Sequence, residues 1–304
     1  MKIGLIAEFN PFHNGHKYLI NKIKEKYPNS QLIVALSSDY VQRGEIAIAS
    51  YEERKEMALK NGVDFVVPLD FETSTQAAHI FAKGAIETLL KEGIDLLCFG
   101  VSDTSDVDKY INAANRIKNN LDIYNLNVKK YLKQGNSFVK STFLSLNELM
   151  TEDEIPADIL GFEYTKYIID NNINVKLDCF KRTVAHNSED PDSIYASGSY
   201  IRKLVKEGKN ISQYTSMKID KNYPKIEDRY SEFQTIVLNL SSKELSEIKM
   251  VSEGMENLFK KNIDASSYDE FVERCTSKRY TSSRIKRVIL YILMNIKKSH
   301  DNNL

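Results

Sequence analysis

Cysteine is scarce, net charge is absent and no long hydrophobic run occurs in the 304 residues. The three cysteines, Cys98, Cys179 and Cys275, are far apart and odd in number. That spacing excludes a disulfide framework and a zinc knuckle, and fits reduced thiols in a cytosolic protein. Lys plus Arg and Asp plus Glu both total 42, so bulk charge gives no sign of a nucleic-acid partner. Any such sign has to lie in the local distribution of charge. Only five apolar residues, IGLIA, precede Glu8 and Asn10, which is no signal peptide. No run approaches the roughly 20 apolar residues of a membrane span. Low-complexity tracts and internal repeats are missing as well. The expectation is a soluble, cytoplasmic protein with no membrane partner, whose oligomeric state the letters leave open.

What is present, 42% hydrophobic and 28% charged residues, is the balance of a packed chain long enough for two domains. Apolar runs at residues 3–7, 31–37, 64–69 and 94–100 alternate with helical patterns at 15–27, 51–61 and 76–92. This rhythm predicts an α/β architecture, a doubly wound parallel sheet whose strands are covered on both faces. Ligands of such sheets bind beyond the carboxyl ends of the strands, so the loops after Ala7, Ser37, Leu69 and Gly100 should share one crevice. Residues 102–181 read as mostly helical, interrupted at Ile155-Pro156, with one more strand at 175–180. The stretch ASGSYIRKLV reads as a capped helix start. Beyond the polar stretch 210–228 the pattern is helical, which divides the chain into a domain at 1–209 and a smaller helical one at 210–304.

The segment FHNGH stands where the first strand becomes a helix. Backbone N–H groups at a helix start favour anions, and His13 and His16, at i and i+3 on one face, can both reach a polyphosphate there. Gly15 leaves room for close approach to the backbone. Such imidazoles can stabilise charge on an α-phosphate as pyrophosphate leaves. The same pair also fits a helix cap that merely packs, or a metal site.

The wider wording is more specific. EFNPFHNGHKYLI, SSDYVQRGEIAIASYEERKEMAL, AAHIFAKGAIETL, FG before VSD, ILGFEY, FKRTVAH, ASGSYIRK and SKRYTSSRIKRVILYIL occur in that order. Together they resemble the tRNA(Met) cytidine acetate ligase family, part of the HxGH nucleotidylyltransferase superfamily, from Lys2 to Leu293. The resemblance implies a Rossmann-like fold of the HUP type. It also implies a ligase that consumes ATP, with Mg²⁺ accompanying the ATP, and acetate to form N(4)-acetylcytidine at the wobble position of elongator tRNA(Met) through acetyl-adenylate. The ATP site carried over is Ile6, Ala7, Glu8, Phe9, Asn10, Pro11, Phe12, His13, Asn14, Gly15, His16, Lys17, Tyr18 and Leu19. Gly100 and Arg182 join it, and His13 and His16 are the catalytic pair. At ASGSYIRK, Ser197, Ser199 and Arg202 make a second anion site, with Lys203 beside them. Arg43, in QRGE, can hold either acetate's carboxylate or a phosphate. Glu8, Asp39 and Glu45 can approach Mg²⁺ held mainly by ATP oxygens, without forming a protein-only metal site.

From Arg274 to Lys298 there are eight basic residues and no acid. Lys278, Arg279, Arg284, Lys286 and Arg287, with Tyr280, are expected at the exposed start of the last helix, where they suit tRNA contact. A solvated charged face is the plainer alternative. Three departures from the family pattern stand out. Ala157 replaces an asparagine, leaving Asp158 as the candidate for that contact. The run AHNS at 185–188 replaces an aromatic–His–acid run, so Asn187 brings no charge. The chain is also expected to be shorter than typical members at its end. Two other functions fit the same motifs: a nucleotidylyltransferase acting on a small phosphorylated metabolite, and a catalytically degenerate tRNA-binding relative.

Overall fold

In β1 (Lys2–Ala7) the pattern KIGLIA buries Ile3, Gly4 and Leu5, as a central strand requires. A computed structural model of the chain describes residues 1–184 and 191–298. After β1 come α1 (Asn14–Lys26), β2 (Gln31–Leu36), the two-residue strands β3 (Tyr40–Val41) and β4 (Glu45–Ile46), and α2 (Tyr51–Lys60). Next are β5 (Phe65–Pro68), the short α3 (Phe71–Ser74), α4 (Ala78–Lys91) and β6 (Leu96–Val101). Four helices follow, α5 (Asp108–Asn119), α6 (Leu121–Lys133), α7 (Phe138–Asn147) and α8 (Ile159–Asp170), then β7 (Lys176–Lys181) and α9 (Gly198–Lys206). Ile155-Pro156 falls between α7 and α8, as proline's poor fit to a helix interior demands.

The sheet runs β5-β2-β1-β6-β7, parallel throughout. The chain works outward from β1 on one side and then crosses to β6 on the other. The crevice of a doubly wound sheet therefore opens beyond the ends of β1 and β6. Alternation is strict. Leu32, Val34 and Leu36 of β2 pack with α1 and α2, while Ile33 and Ala35 join α4 and α8 on the opposite face. Leu97 and Phe99 of β6 do the same against Leu96 and Cys98. Each fully buried side chain of this kind contributes about 1.5–3 kcal/mol. All three cysteines are buried free thiols.

The C-terminal unit has its own core, starting with a 3₁₀ turn at Ile226–Arg229. It continues through α10 (Tyr230–Asn239), α11 (Ser242–Glu247), α12 (Met255–Asn262), α13 (Tyr268–Cys275) and α14 (Ser282–Leu293). Phe233, Phe259 and Phe271 meet edge-on at 5.1–6.0 Å. From Arg287 to Leu293 every residue of α14 is buried. The helix is thus the centre of the bundle, not an amphipathic surface helix with a single stripe. Residues 213–217 pack elsewhere: Tyr214 and Gln213 carbonyls accept from the Asn14 backbone and side-chain N–H groups, and Met217 joins the core under α1.

The two units meet where the hairpin of β3 and β4 lies against α14. Gly44 turns the hairpin at φ 77°, and a Cβ there would fall 2.5 Å from the Arg287 nitrogen. Arg287 Nη1 donates to Gln42 O at 3.1 Å, Lys286 pairs with Glu45 at 2.8 Å, and Gln76 donates to the Tyr291 hydroxyl at 3.0 Å. Gly44→Ala should therefore destabilise the protein by at least about 2 kcal/mol, from backbone strain plus overlap. Urea unfolding measures this; a change under about 0.5 kcal/mol would mean that the contact is loose.

Candidate functional site

The last carbonyls of β1 and β2 still accept from the Ser37 and Leu69 N–H groups, and the side chain that takes up the carbonyls just beyond the strands is Arg54 of α2. It is fully buried. Its Nε donates to Ala49 O (3.0 Å), Nη1 to Glu8 O (2.6 Å) and Ser37 O (3.1 Å), and Nη2 to Ser38 O (2.6 Å). Burial lowers its pKa to about 10, so it stays charged at neutral pH. Arg54 is missed by pattern alone, because arginine in a helix's first turn reads as exposed. The nearest signal is the Ser50–Glu53 capping box that fixes where α2 starts.

The loop from Glu8 to His13 runs over that floor. Phe9, at φ 48°, Asn10, Pro11 and Phe12 are buried, and the Asn10-Pro11 peptide is cis. Asn10 Oδ1 accepts from Ile48 N–H at 2.8 Å. His13 is the N-cap of α1: its Nδ1 accepts from Gly15 N–H at 3.1 Å, while His16 Nδ1 accepts from His13 N–H at 3.2 Å. The two rings stack at 3.7 Å, and Phe9 and Phe12 hold the His16 ring at 4.8 and 5.7 Å. An accepting Nδ1 carries no proton, so the neutral rings are Nε2–H tautomers, assigned from this network. Both rings are half-buried, not sealed in the core. Capping and presentation of a donor are thus one arrangement.

Gly15 leaves room for the cap itself. A Cβ would lie 2.9 Å from the His13 ring. Gly100 is similar, since the Arg182 side chain covers it with Nε 3.2 Å from the missing Cβ, and Leu19 comes within 3.5 Å. Arg182 Nη1 pairs with Asp158 Oδ1 at 2.7 Å, and Asp158 Oδ2 accepts from the Ser102 N–H and hydroxyl at 2.5 and 2.7 Å. Asp158 therefore fixes Arg182 and the end of β6. Ala157, exposed, gives only its N–H to Asp103 at 3.4 Å.

Helix α9 brings its N-terminus to the same loop. Ser197 caps it by accepting from Tyr200 N–H at 3.1 Å, Ser199 lies 3.0 Å from the Ser197 hydroxyl, and Arg202 donates to Asn10 O at 2.7 Å. Ile6 and Ala7 end β1 beneath, and Asn14 ties the loop to Ile194 O at 2.9 Å. Lys17 is exposed, and Tyr18 meets Tyr195 edge-on at 6.1 Å. The stretch 185–190, with Asn187, lies outside the described residues.

The hairpin closes the crevice. Glu8 accepts from Gln42 N–H at 2.8 Å, and the Gln42 carbonyl accepts from Arg287, so one residue links the end of β1 to α14. Burial pushes the Glu8 carboxyl above its usual range, against the Gln42 hydrogen bond and the charges of Arg202, Arg43 and Arg54. The other carboxylates near the hairpin also have partners: Asp39 accepts from Tyr51 N–H at 2.6 Å and Glu45 pairs with Lys286. Among the described residues no three His, Cys, Asp or Glu side chains are gathered to hold a metal ion.

The basic residues expected at the last helix separate into two groups. Arg287 is buried and Lys286 half-buried at the hairpin, rather than on an exposed face, because α14 is the bundle's centre. Lys278 and Arg279 are exposed but precede α14. Tyr280 is buried rather than exposed, and Arg284 lies over its ring at 5.1 Å while Arg279 and Arg284 both reach Glu253 at 3.4 Å. No helix among the described residues is long and apolar enough to cross a membrane.

The family described as HIGH Nucleotidyl Transferase matches residues 1–304. A tRNA(Met) cytidine acetate ligase of Mycoplasmopsis pulmonis is 52% identical over 298 residues, 98% of this chain and 100% of that protein. A protein of the same name from Anoxybacillus flavithermus is 32% identical over 97% of this chain and 78% of its own length. The crystal structure of Thermotoga maritima TmcAL, apo form I, aligns with a TM-score of 0.85 at 26% identity, covering 98% of this chain and 76% of that one. A form of the same protein bound with alpha-thio ATP gives the same TM-score of 0.85 at 26% identity, over 98% of this chain and 75% of that one.

Two outcomes are expected of this geometry. Arg54→Met leaves four carbonyls without their donor and should cost about 3–5 kcal/mol in denaturant unfolding. Glu8 titrates in its ordinary range when unfolded and higher when folded, so its protonation stabilises the fold at low pH and that contribution is lost as pH rises through the folded value. Glu8→Gln keeps the acceptor for Gln42 and should raise the thermal midpoint at pH 8 while matching the parent chain near pH 4. A lower midpoint at pH 8 would contradict the burial of that charge.

Proposed function

The chain belongs to the tRNA(Met) cytidine acetate ligase family of HIGH nucleotidyl transferases, and from that premise we propose that it is a cytoplasmic, ATP-dependent, AMP-forming ligase. Its substrates in this reading are acetate and the wobble cytidine of elongator tRNA(Met), and its product is N(4)-acetylcytidine. The single observation that carries the proposal is the double use of His13 and His16. Each Nδ1 is consumed in capping α1, which makes each Nε2 the donor edge of a fixed tautomer.

ATP is read as lying over the ends of β1 and β6, with its phosphates between the HNGH turn and the start of α9. The likeness to the T. maritima structure with alpha-thio ATP supports this reading. An acetate carboxylate oxygen attacks the α-phosphorus, a P–O bond forms, and pyrophosphate leaves with the bridging electron pair. His13 and His16 Nε2–H groups, the Ser197 and Ser199 hydroxyls and Arg202 stabilise the charge that grows on the phosphate oxygens. Arg182, steadied by Asp158 above Gly100, lines the nucleoside side, and Arg43 beside Glu8 is the cation for the acetate carboxylate or a phosphate. The cytidine amine then attacks the acetyl carbonyl. The new C–N bond replaces the acyl–phosphate bond, the amine gives up a proton, and AMP departs. Magnesium is read as entering with the ATP phosphates, since Glu8, Asp39 and Glu45 are each engaged by protein donors and do not fit a resident metal site. In this reading residues 210–304, with Lys278, Arg279 and Arg284 at their surface, take the tRNA.

His13→Asn keeps an oxygen to cap Gly15 N–H but removes the ring donor. It should stay within about 1 kcal/mol of the parent chain in stability while acetate-dependent ATP–pyrophosphate exchange drops about 100-fold or more. Exchange that proceeds equally well without acetate would end the ligase reading and favour another nucleotidyl transfer. Mass analysis of tRNA(Met) nucleosides after incubation with ATP and labelled acetate tests the product.

A further inference from the structure

We propose that the RNA-binding surface extends across both units, and that the hairpin of helices α6 and α7 in the first unit is half of it. The identity of the RNA rests on the ligase reading; the surface itself rests on the distribution of charge and of exposed aromatic rings. In a chain of zero net charge, residues 123–147 hold four lysines and no acid, just as residues 274–298 hold eight basic residues and no acid. These two stretches, far apart in sequence, touch: Lys278 Nζ donates to the Gln134 carbonyl, in the turn between α6 and α7, at 3.3 Å.

Lys129, Lys133 and Lys140 are exposed and make no ion pair among the described residues. Lys130 differs, lying 3.8 Å from Glu148. Between the lysines stand large apolar side chains that the fold leaves in water: Phe138 and Phe143 at 42% exposure and Val139 at 50%. Lys140 lies over the exposed Phe143 ring at 5.4 Å, while across the junction Arg284 and Arg279 lie over Tyr280, whose ring is buried. A merely solvated basic face has no use for exposed phenylalanines, which lose free energy to water. Phosphates need the cations and unstacked bases need the rings, so the combination fits RNA better than a protein partner.

Filter binding of an elongator tRNA(Met) transcript across a salt series tests this on the full chain. Lys129→Glu, Lys133→Glu and Lys140→Glu combined should weaken binding about tenfold or more. They should also lower the slope of log affinity against log salt by roughly two to three, one for each lost phosphate contact. Acetate-dependent ATP–pyrophosphate exchange without RNA should be unchanged. Phe143→Ser should weaken binding with the salt slope preserved, the sign of a stacking contact. Unchanged affinity and slope in the triple variant would overturn the proposal. So would a parent chain that sediments as a dimer and becomes a monomer on Phe143→Ser, since the apolar face would then be covered by a second copy. If exchange fails in the parent chain while the binding results hold, the ligase reading falls and the RNA surface stands.

Discussion

Parallel strands that stop side by side leave the carbonyls just beyond their ends without a ladder partner, and in this protein the Arg54 guanidinium takes up those of Glu8, Ser37 and Ser38. Without that buried donor the loop after β1 has no floor. The main contacts of the candidate site rest on this loop: the Asn10 carbonyl that receives Arg202, the buried Phe9 and Phe12, and the His13 cap. A carbonyl-rich pocket tolerates a buried cation, because each N–H finds an acceptor and the desolvation cost is offset by several charge-assisted hydrogen bonds.

The HNGH turn reconciles two readings that look opposed in the sequence. A histidine that caps a helix is a structural residue, and one that donates to a phosphate is a functional one. Here one ring geometry is compatible with both: the helix N-terminus takes Nδ1 and so determines which nitrogen holds the proton. Glycines at 15 and 100 belong to the same economy of space. Each vacates a position that a neighbouring side chain, His13 or Arg182, then occupies.

The hairpin of β3 and β4 gives the site a physical connection to the helical unit. Gln42 offers its N–H to Glu8 and its carbonyl to Arg287, while Gly44 lets the turn lie directly on the α14 backbone. The end of the central strand and the centre of the C-terminal core are thus two hydrogen bonds apart.

How far the letters reach is clearest from particular residues. The runs IGLIA, QLIVALS and IDLLCFG were legible as buried strands because a strand covered on both faces leaves a continuous apolar signature. HNGH was legible as a helix start because it stands directly behind a strand-like apolar run. Lys286 and Arg287 were not legible, since a basic residue beside an apolar stripe reads as exposed until the neighbour is known. Their partners, Glu45 and Gln42, lie 241 and 245 positions away. Arg54 escaped for the same reason. The sequence by itself determined the alternation of the main strands and helices and which residue types stand in the first turn of α1. Only the tertiary structure decided which cations face water and which are consumed inside, because local pattern records periodicity along one element while burial of a charge depends on what long-range folding sets against it.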